Sequence, residues 1–277
     1  MRLLLALICA LFFVGSAEAT DYYVATNGTN NSGCGAVGSP CLTIEYAYEK
    51  AAFVAGDTIL VQSGTYTGGG THPTYGRNRL NKHGTAGSPI TVKSITRGGA
   101  ILDGGADATY PNVFFLDGAS YNIIDGFVIH NTYRGGISVW SGQNNQVINT
   151  EIHHGGTGYA VIGDGGMGLW EDNASSGNYY GSNYIHDNAT HGVYLAGDNT
   201  VVVNNILSHN GHFGIQVSGD GATSANMKIY NNTSASNSLG GLVLFRDLSG
   251  VTIKNNIFYQ NVGTAVLVYY ATGSGVT

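Results

Sequence analysis

Apolar positions along this chain fall in short alternating runs, each closed by Asn or Gly, and the runs themselves recur. The segments VVVNNILSHN from Val201, IYNNTSASN from Ile229 and TIKNNIFYQN from Thr252 are copies of one unit. Each is followed by a second short apolar run: GIQVSG, GLVLF and AVLVY. Weaker copies are IIDGFVIHN with GISVW, VINTEIHHG with GLWED, and SNYIHDN with GVYLAG. Alternation of period two marks strands. Aligning the closing residues Asn131, Gly155, Asn188, Asn210, Asn237 and Asn261 gives steps of 24, 33, 22, 27 and 24 residues. A period in the low twenties, made of strand, Asn-rich turn, strand and Gly turn, predicts an all-β solenoid, a parallel β-helix. No coil can bury its own apolar face, so each must stack on its neighbours.

The pleat then sorts side chains into columns. One inward column is expected to hold Ile123, Val147, Val202, Ile229 and Ile253, and a second Val128, Ile152, Ile185, Leu207 and Phe258. A third holds Ile137, Leu169, Val193, Ile215, Leu242 and Val266. Ahead of the coils, Thr43 can cap a short helix running to Phe53, with Ile44, Ala47 and Ala51 on one face. Such a helix covers the first coil and blocks edge-to-edge pairing. No matching device is visible at the far end, which predicts further coils or a cap beyond residue 277.

Composition agrees with many tight turns: the chain has 43 glycines and only four prolines. Residues 3–14 are apolar behind Met1 and Arg2, and Ser16-Ala17-Glu18-Ala19 follows. That is the pattern of a secretory signal peptide cut after Ala19, leaving residues 20–277 as one exported domain. The apolar run is shorter than the about 20 residues a membrane span needs. In an oxidising compartment the close pair Cys34 and Cys41 most simply forms a disulfide, since no further Cys or His nearby completes a metal set. Only 10% of residues are charged, the formal net charge is −6, and there is no basic run, so nucleic acid is excluded as a partner. An acidic glycan would need a local cation. The chain is expected to act as a monomer.

The segments DYYVATNG, GSPCLTIEYAYEKA and AGDTILVQSGTY resemble the N-terminal cap of secreted right-handed parallel β-helix proteins of the pectate-lyase-like superfamily. GTAGSPITVKSI and the NN-x-I-x-x-N units are similar to it as well, so the resemblance spans about residues 21–277. It implies the right-handed solenoid. Members of the superfamily include polysaccharide lyases, glycoside hydrolases, epimerases and non-catalytic surface proteins, among which fold alone does not choose. The Asn-Thr-Asp, Asp-Asp, Gly-His-Gly and Arg-Ile-Lys set of polygalacturonase-type hydrolases is missing from this chain, as is the Asp-Pro-His-Glu motif of alginate epimerases. No segment matches the Lys-bearing one that supplies the base in pectate lyases with this cap.

Site candidates therefore come from position. The repeat alignment puts His130, His154, Asp187 and His209 in one column, with His153 and His186 in a second. Coils stack about 4.8 Å apart, so such side chains can touch. They could hold a general base beside a carboxylate, or form a polar turn ladder that only satisfies backbone groups. The 33-residue step places about ten extra residues between His154 and Trp170, a loop suited to a groove wall. Trp170 and Tyr194 are expected outward as sugar platforms, or else as filling under the loop. A bulge is expected to turn Glu171 or Asp172 toward the surface and a bound glycan. For β-elimination of a uronate, the catalytic candidates are Arg134, His154, His186, Asp187 and His191, with Arg134 the cation. Asp164, Asp172 and Asp187 could hold Ca²⁺. The leading reading is a polysaccharide lyase; the alternatives are a binding or adhesion module and a hydrolase, for which Glu171 with Asp172 or Asp187 would form the carboxylate pair.

Overall fold

The computed structural model describes residues 18–70, 73, 75–156, 165–219 and 224–269. The segment read as a signal peptide lies outside the described residues up to position 17. Among the described residues no helix is long and apolar enough to cross a membrane.

Strands recur in the order first sheet, second sheet, third sheet, and every neighbouring pair in these sheets is parallel. The first sheet has nine strands, from Asp21–Val24 to Thr252–Lys254. The second has eight, from Gly64–Tyr66 to Ile257–Tyr259, and the third eight, from Asn78–Leu80 to Thr264–Tyr269. One strand of each sheet makes a coil, and the coils stack into a β-helix. Disulfide-bonded Cys34 and Cys41, with Cα atoms 4.9 Å apart, pin the loop beside the first strand.

The helix is shorter than the sequence suggests, Ile44–Glu49, with the Thr43 hydroxyl accepting from the Tyr46 amide as N-cap. Lys50 leaves helical geometry, so Ala51 is exposed and Phe53 drops back onto the end of the solenoid. There its ring meets Tyr22 and Tyr48, each 5.3 Å away. Tyr48, fully buried, fills the place expected for Ala51.

The third-sheet column holds as expected: Ile137, Leu169, Val193, Ile215, Leu242 and Val266 are consecutive register partners. The other two columns shift by one residue in the early coils. Val147 pairs with Ile124 rather than Ile123, and Ile152 with Ile129 rather than Val128. Correspondingly, Thr132 and not Asn131 is the partner of Gly155. The cause lies at the corner between these strands: Asp125 is still a strand residue in the place of Val203, and Gly126-Phe127, not Asp125-Gly126, stand where later coils carry Asn-Asn. Tyr180 and Ser234 occupy inward places that the alignment left open.

Corners are built by side chains that replace missing backbone partners. Asn183, Asn205, Asn232 and Asn256 form a ladder between the first and second sheets, each side-chain oxygen accepting from the backbone amide of the coil before. Asn188, Asn210, Asn237 and Asn261 do the same between the second and third sheets, beginning at the Gly155 amide. At this second corner the chain also needs glycine: a Cβ on Gly136 or Gly168 would lie 2.4 Å from the Cγ2 of Ile152 or Ile185.

Candidate functional site

The corner between the second and third sheets gathers most of the candidate side chains. Asn131, His154, Asp187 and His209 take the same turn position in successive coils, each with φ between 51° and 55°. Asn, Asp and His are the non-glycine residues that best tolerate this left-handed region, which accounts for the residue types there. His130 does not belong to this column. It pairs with His153, which pairs with His186, so these three form an outward ladder on the second sheet. Their rings stack at 5.2 and 5.0 Å. The next place in the ladder, before His130, is Asp103.

His186 is clamped. Its Nδ1 lies 2.7 Å from Asp187 Oδ2 and its Nε2 3.1 Å from Glu151 Oε1, while Tyr184 stacks on it at 4.0 Å. Both nitrogens are taken up by neighbouring carboxylates, so the ring is fixed on the ladder rather than turned toward a substrate. His153 differs: burial first, then the neighbouring imidazoles of His186, His154 and His130, hold its pKa down at about 4. It is therefore neutral near pH 7. Its Nδ1 is 2.6 Å from Nδ1 of the exposed His154, so one proton is shared between the two rings. The pair is the best-placed proton acceptor on this corner.

On the third sheet, Trp170 pairs with Tyr194, both half-buried and outward as expected. A row of rings leads up to Trp170 along the solenoid axis. Tyr75 meets Phe115 at 5.2 Å, Phe115 meets Trp140 at 6.1 Å, and Trp140 meets Trp170 at 6.2 Å. Trp140 is 46% exposed, the most accessible ring in that row, and sequence reasoning passed over it as a strand end. Its signal was the outward register of GISVW. The Arg134 guanidinium lies 5.9 Å from the Trp170 ring centre, in cation–π range. His191 packs against Tyr194, His212 and Phe213 and is almost fully buried. Burial, and then His212, push its pKa down to about 3, and its Nδ1 has no partner among the described residues.

Three expectations fail here. There is no bulge at Glu171: the side chain continues the inward column between Val139 and Leu195 and is fully buried. It cannot touch a glycan. One oxygen accepts from Thr200 Oγ1 at 2.8 Å, and the other has no partner, as does the nearby buried hydroxyl of Tyr180. Desolvation raises the Glu171 pKa to about 7. Asp172 is buried as well, its Oδ1 accepting from the Ser141 amide and the Ser175 hydroxyl to close a turn. Asp164 lies outside the described residues, as does the rest of the insertion from 157 to 164. Asp172 and Asp187 do not converge, and among the described residues no group of three or more His, Cys, Asp or Glu is arranged to hold a metal ion. The described residues alone do not assemble the expected Ca²⁺ set.

A family model described as right handed beta helix region matches residues 90–277. The chain belongs to that family and its solenoid is the right-handed parallel β-helix of the pectate-lyase-like superfamily. Pectate lyase L of Dickeya chrysanthemi is 30% identical over 163 residues, covering 55% of this chain and 36% of that protein. Pectate lyase L of Dickeya dadantii (strain 3937) is 28% identical over 158 residues with the same coverage. The chain thus spans about a third of the length of the curated relatives it matches. Among solved structures, pectate lyase Pel9A superposes with a TM-score of 0.63 at 19% identity, covering 95% of this chain and 79% of that one. A GH136 lacto-N-biosidase from Eubacterium ramulus gives 0.64 at 14% identity, covering 93% and 57%. These last two likenesses are of fold.

Proposed function

We propose that this chain is exported and acts on a polysaccharide, as a β-eliminating lyase of a uronate-containing glycan. The observation that carries the reading is the pair of outward rings Trp140 and Trp170, 6.2 Å apart, with exposed Tyr75 further along the axis beyond the buried Phe115 and with the Arg134 guanidinium 5.9 Å from Trp170. Flat amphipathic rings suit sugar faces. The similarity to the two pectate lyases supports the substrate class. Arg134 sits one coil before His154 and would face the uronate carboxylate, whose neutralisation makes C5 more acidic.

In the proposed step, His154 takes the proton from C5. The C5–H electron pair forms the C4–C5 double bond, the C4–O bond breaks, and the departing glycosidic oxygen takes a proton from water. His153, kept neutral by burial and by the neighbouring rings, accepts the shared proton from Nδ1 of His154, which leaves the lone pair of His154 on Nε2 to take the C5 proton. The His186 clamp keeps the ladder in place. No metal enters the scheme. His154→Ala should abolish the ultraviolet absorbance of the unsaturated product on a uronate polymer, a loss of at least 100-fold given the usual worth of a positioned base. Full activity in that variant would sink the assignment. Release of reducing ends without new absorbance would instead indicate a hydrolase, and no product from any glycan a binding module.

A further inference from the structure

At the same corner of the first two coils, under the N-terminal helix, lies a cavity of about 280 Å³ that the elimination scheme does not use. Its floor is apolar, formed by Ile44, Leu102 and Val113. Its walls carry the hydroxyl-bearing residues Thr26, Thr65 and Thr67. Two charged side chains line it, Arg77 and Asp103. Arg77 is nine-tenths buried: its guanidinium donates to the carbonyls of Thr67 and Gly104, lies 3.5 Å from Asp107, and leaves Nε without a partner among the described residues. One oxygen of Asp103 accepts from the Gly105 amide.

We infer that this cavity binds a single uncharged sugar ring, the chain end of the glycan. The inference rests on the glycan reading above and adds where the end of the chain is held. The volume lies just below the about 300–1,000 Å³ range of sites for drug-sized ligands, which suits one ring. An apolar floor beneath hydroxyl walls matches the two faces of a pyranose. The unpaired Nε–H of Arg77 asks for a neutral oxygen acceptor, because Asp107 already offsets the positive charge. A free Asp103 oxygen asks for a hydroxyl donor and would repel a uronate. Asp103 also precedes His130 and His153 in the second-sheet ladder, so the cavity lies on one axial line with His153, the ring bonded to the proposed base His154. Two coil spacings separate them, about 10 Å. Action from a chain end, with short products, follows.

Binding of methyl glycosides of uncharged monosaccharides, and of galacturonate, can be measured by saturation-transfer NMR and calorimetry on the full chain. Thr67→Trp fills the cavity from an exposed position and keeps the backbone carbonyl that Arg77 uses; Asp103→Asn keeps the shape and removes the charge. The expected result is saturable binding of at least one uncharged glycoside, weakened at least tenfold in Thr67→Trp and measurably in Asp103→Asn. Polymer retention on the aromatic row should be unchanged in both. The proposal is overturned if no uncharged glycoside binds, if binding survives Thr67→Trp intact, or if galacturonate binds more tightly than every uncharged ring. Retention of polymer without glycoside binding would remove the cavity alone, whereas wild-type protein that retains no polymer would remove the glycan reading itself.

Discussion

Two ladders climb the same corner of this solenoid and differ in what their side chains bond. In the Asn ladder Asn188, Asn210 and Asn237 are buried, the last member Asn261 is part-buried, and each amide is matched to the next. Asn210, for instance, accepts from the backbone and side-chain nitrogens of Asn188 and donates to Ile185 and Asn237. In the His ladder, His130, His153 and His186 are part-exposed and spend their rings on one another and on carboxylates. A repeat can stack polar residues simply to satisfy its corners, and the Asn ladder does so. That task is therefore already filled, and the His ladder is left available for the chemistry proposed above. The comparison favours a functional reading of the second ladder, although the turn geometry explains why His154 itself is tolerated at a positive φ.

If the Asn ladder is the structural one, breaking it should be costly. Asn210→Ala removes four hydrogen bonds at a fully buried place, so a loss of roughly 4 kcal/mol is expected at about 1 kcal/mol for each bond. Urea unfolding checks it; a loss below about 1 kcal/mol would reverse the assignment of roles. The next largest effect concerns Glu171, a carboxyl in an otherwise aliphatic column. Its folded pKa, about 7, stands above the ordinary value of 4.5, so the native state holds this proton more tightly than the unfolded chain does. The contribution of Glu171 is then greatest below pH 4.5, falls as pH rises from 4.5 through 7, and is level above that. The shift corresponds to roughly 3 kcal/mol. Glu171→Gln should flatten this fall and be the more stable protein at pH 8. An unchanged slope between pH 5 and pH 8 would place the titration elsewhere.

Most of the fold was legible because a solenoid writes its period into the sequence. The columns of the later coils, the Thr43 cap and the outward faces of Trp170 and Tyr194 follow from alternation and spacing alone. The one-residue shift at Ile123 and Val128 was hidden, since Asp125-Gly126 resembles the polar Asn-Asn pair, whereas the register sets Gly126 and the buried Phe127 in its place. Glu171 was misread because a buried carboxylate is costly, and a bulge seemed the cheaper way to keep it in water. The structure keeps it inside, bonded to Thr200 and beside Tyr180, residues 29 and 9 places away that no local pattern reveals. Likewise the His130–His153–His186 stack depends on register, and a shift of one place had put His130 in the turn column. Trp140 needed no more than the outward phase of its own strand.

The smallest expected effect is the sharpest test of the ladder comparison. His130→Ala takes one ring from the end of the stack without touching the His154 corner or any Asn. Stacking between part-exposed rings contributes modestly, so stability should change by about 0.5 kcal/mol, near the low end for aromatic pairs. Its electrostatic effect is more telling. His130 is one of the three imidazoles that disfavour a proton on His153, after burial, which is the largest cause, and after His186 and His154. Removing it leaves burial and the other two in place, so the His153 pKa should rise from about 4 but stay below the ordinary 6.5. A lowered histidine pKa means that stability is lost as pH falls from 6.5 toward 4, and His130→Ala should shift that loss to a smaller one. Carbon-detected NMR titration of the imidazole signals reads the change directly. If the rings are coupled as the stack implies, His153 moves and the more distant His191 does not. If neither moves, the three histidines are neighbours only, and the ladder is no more than a decorated sheet face.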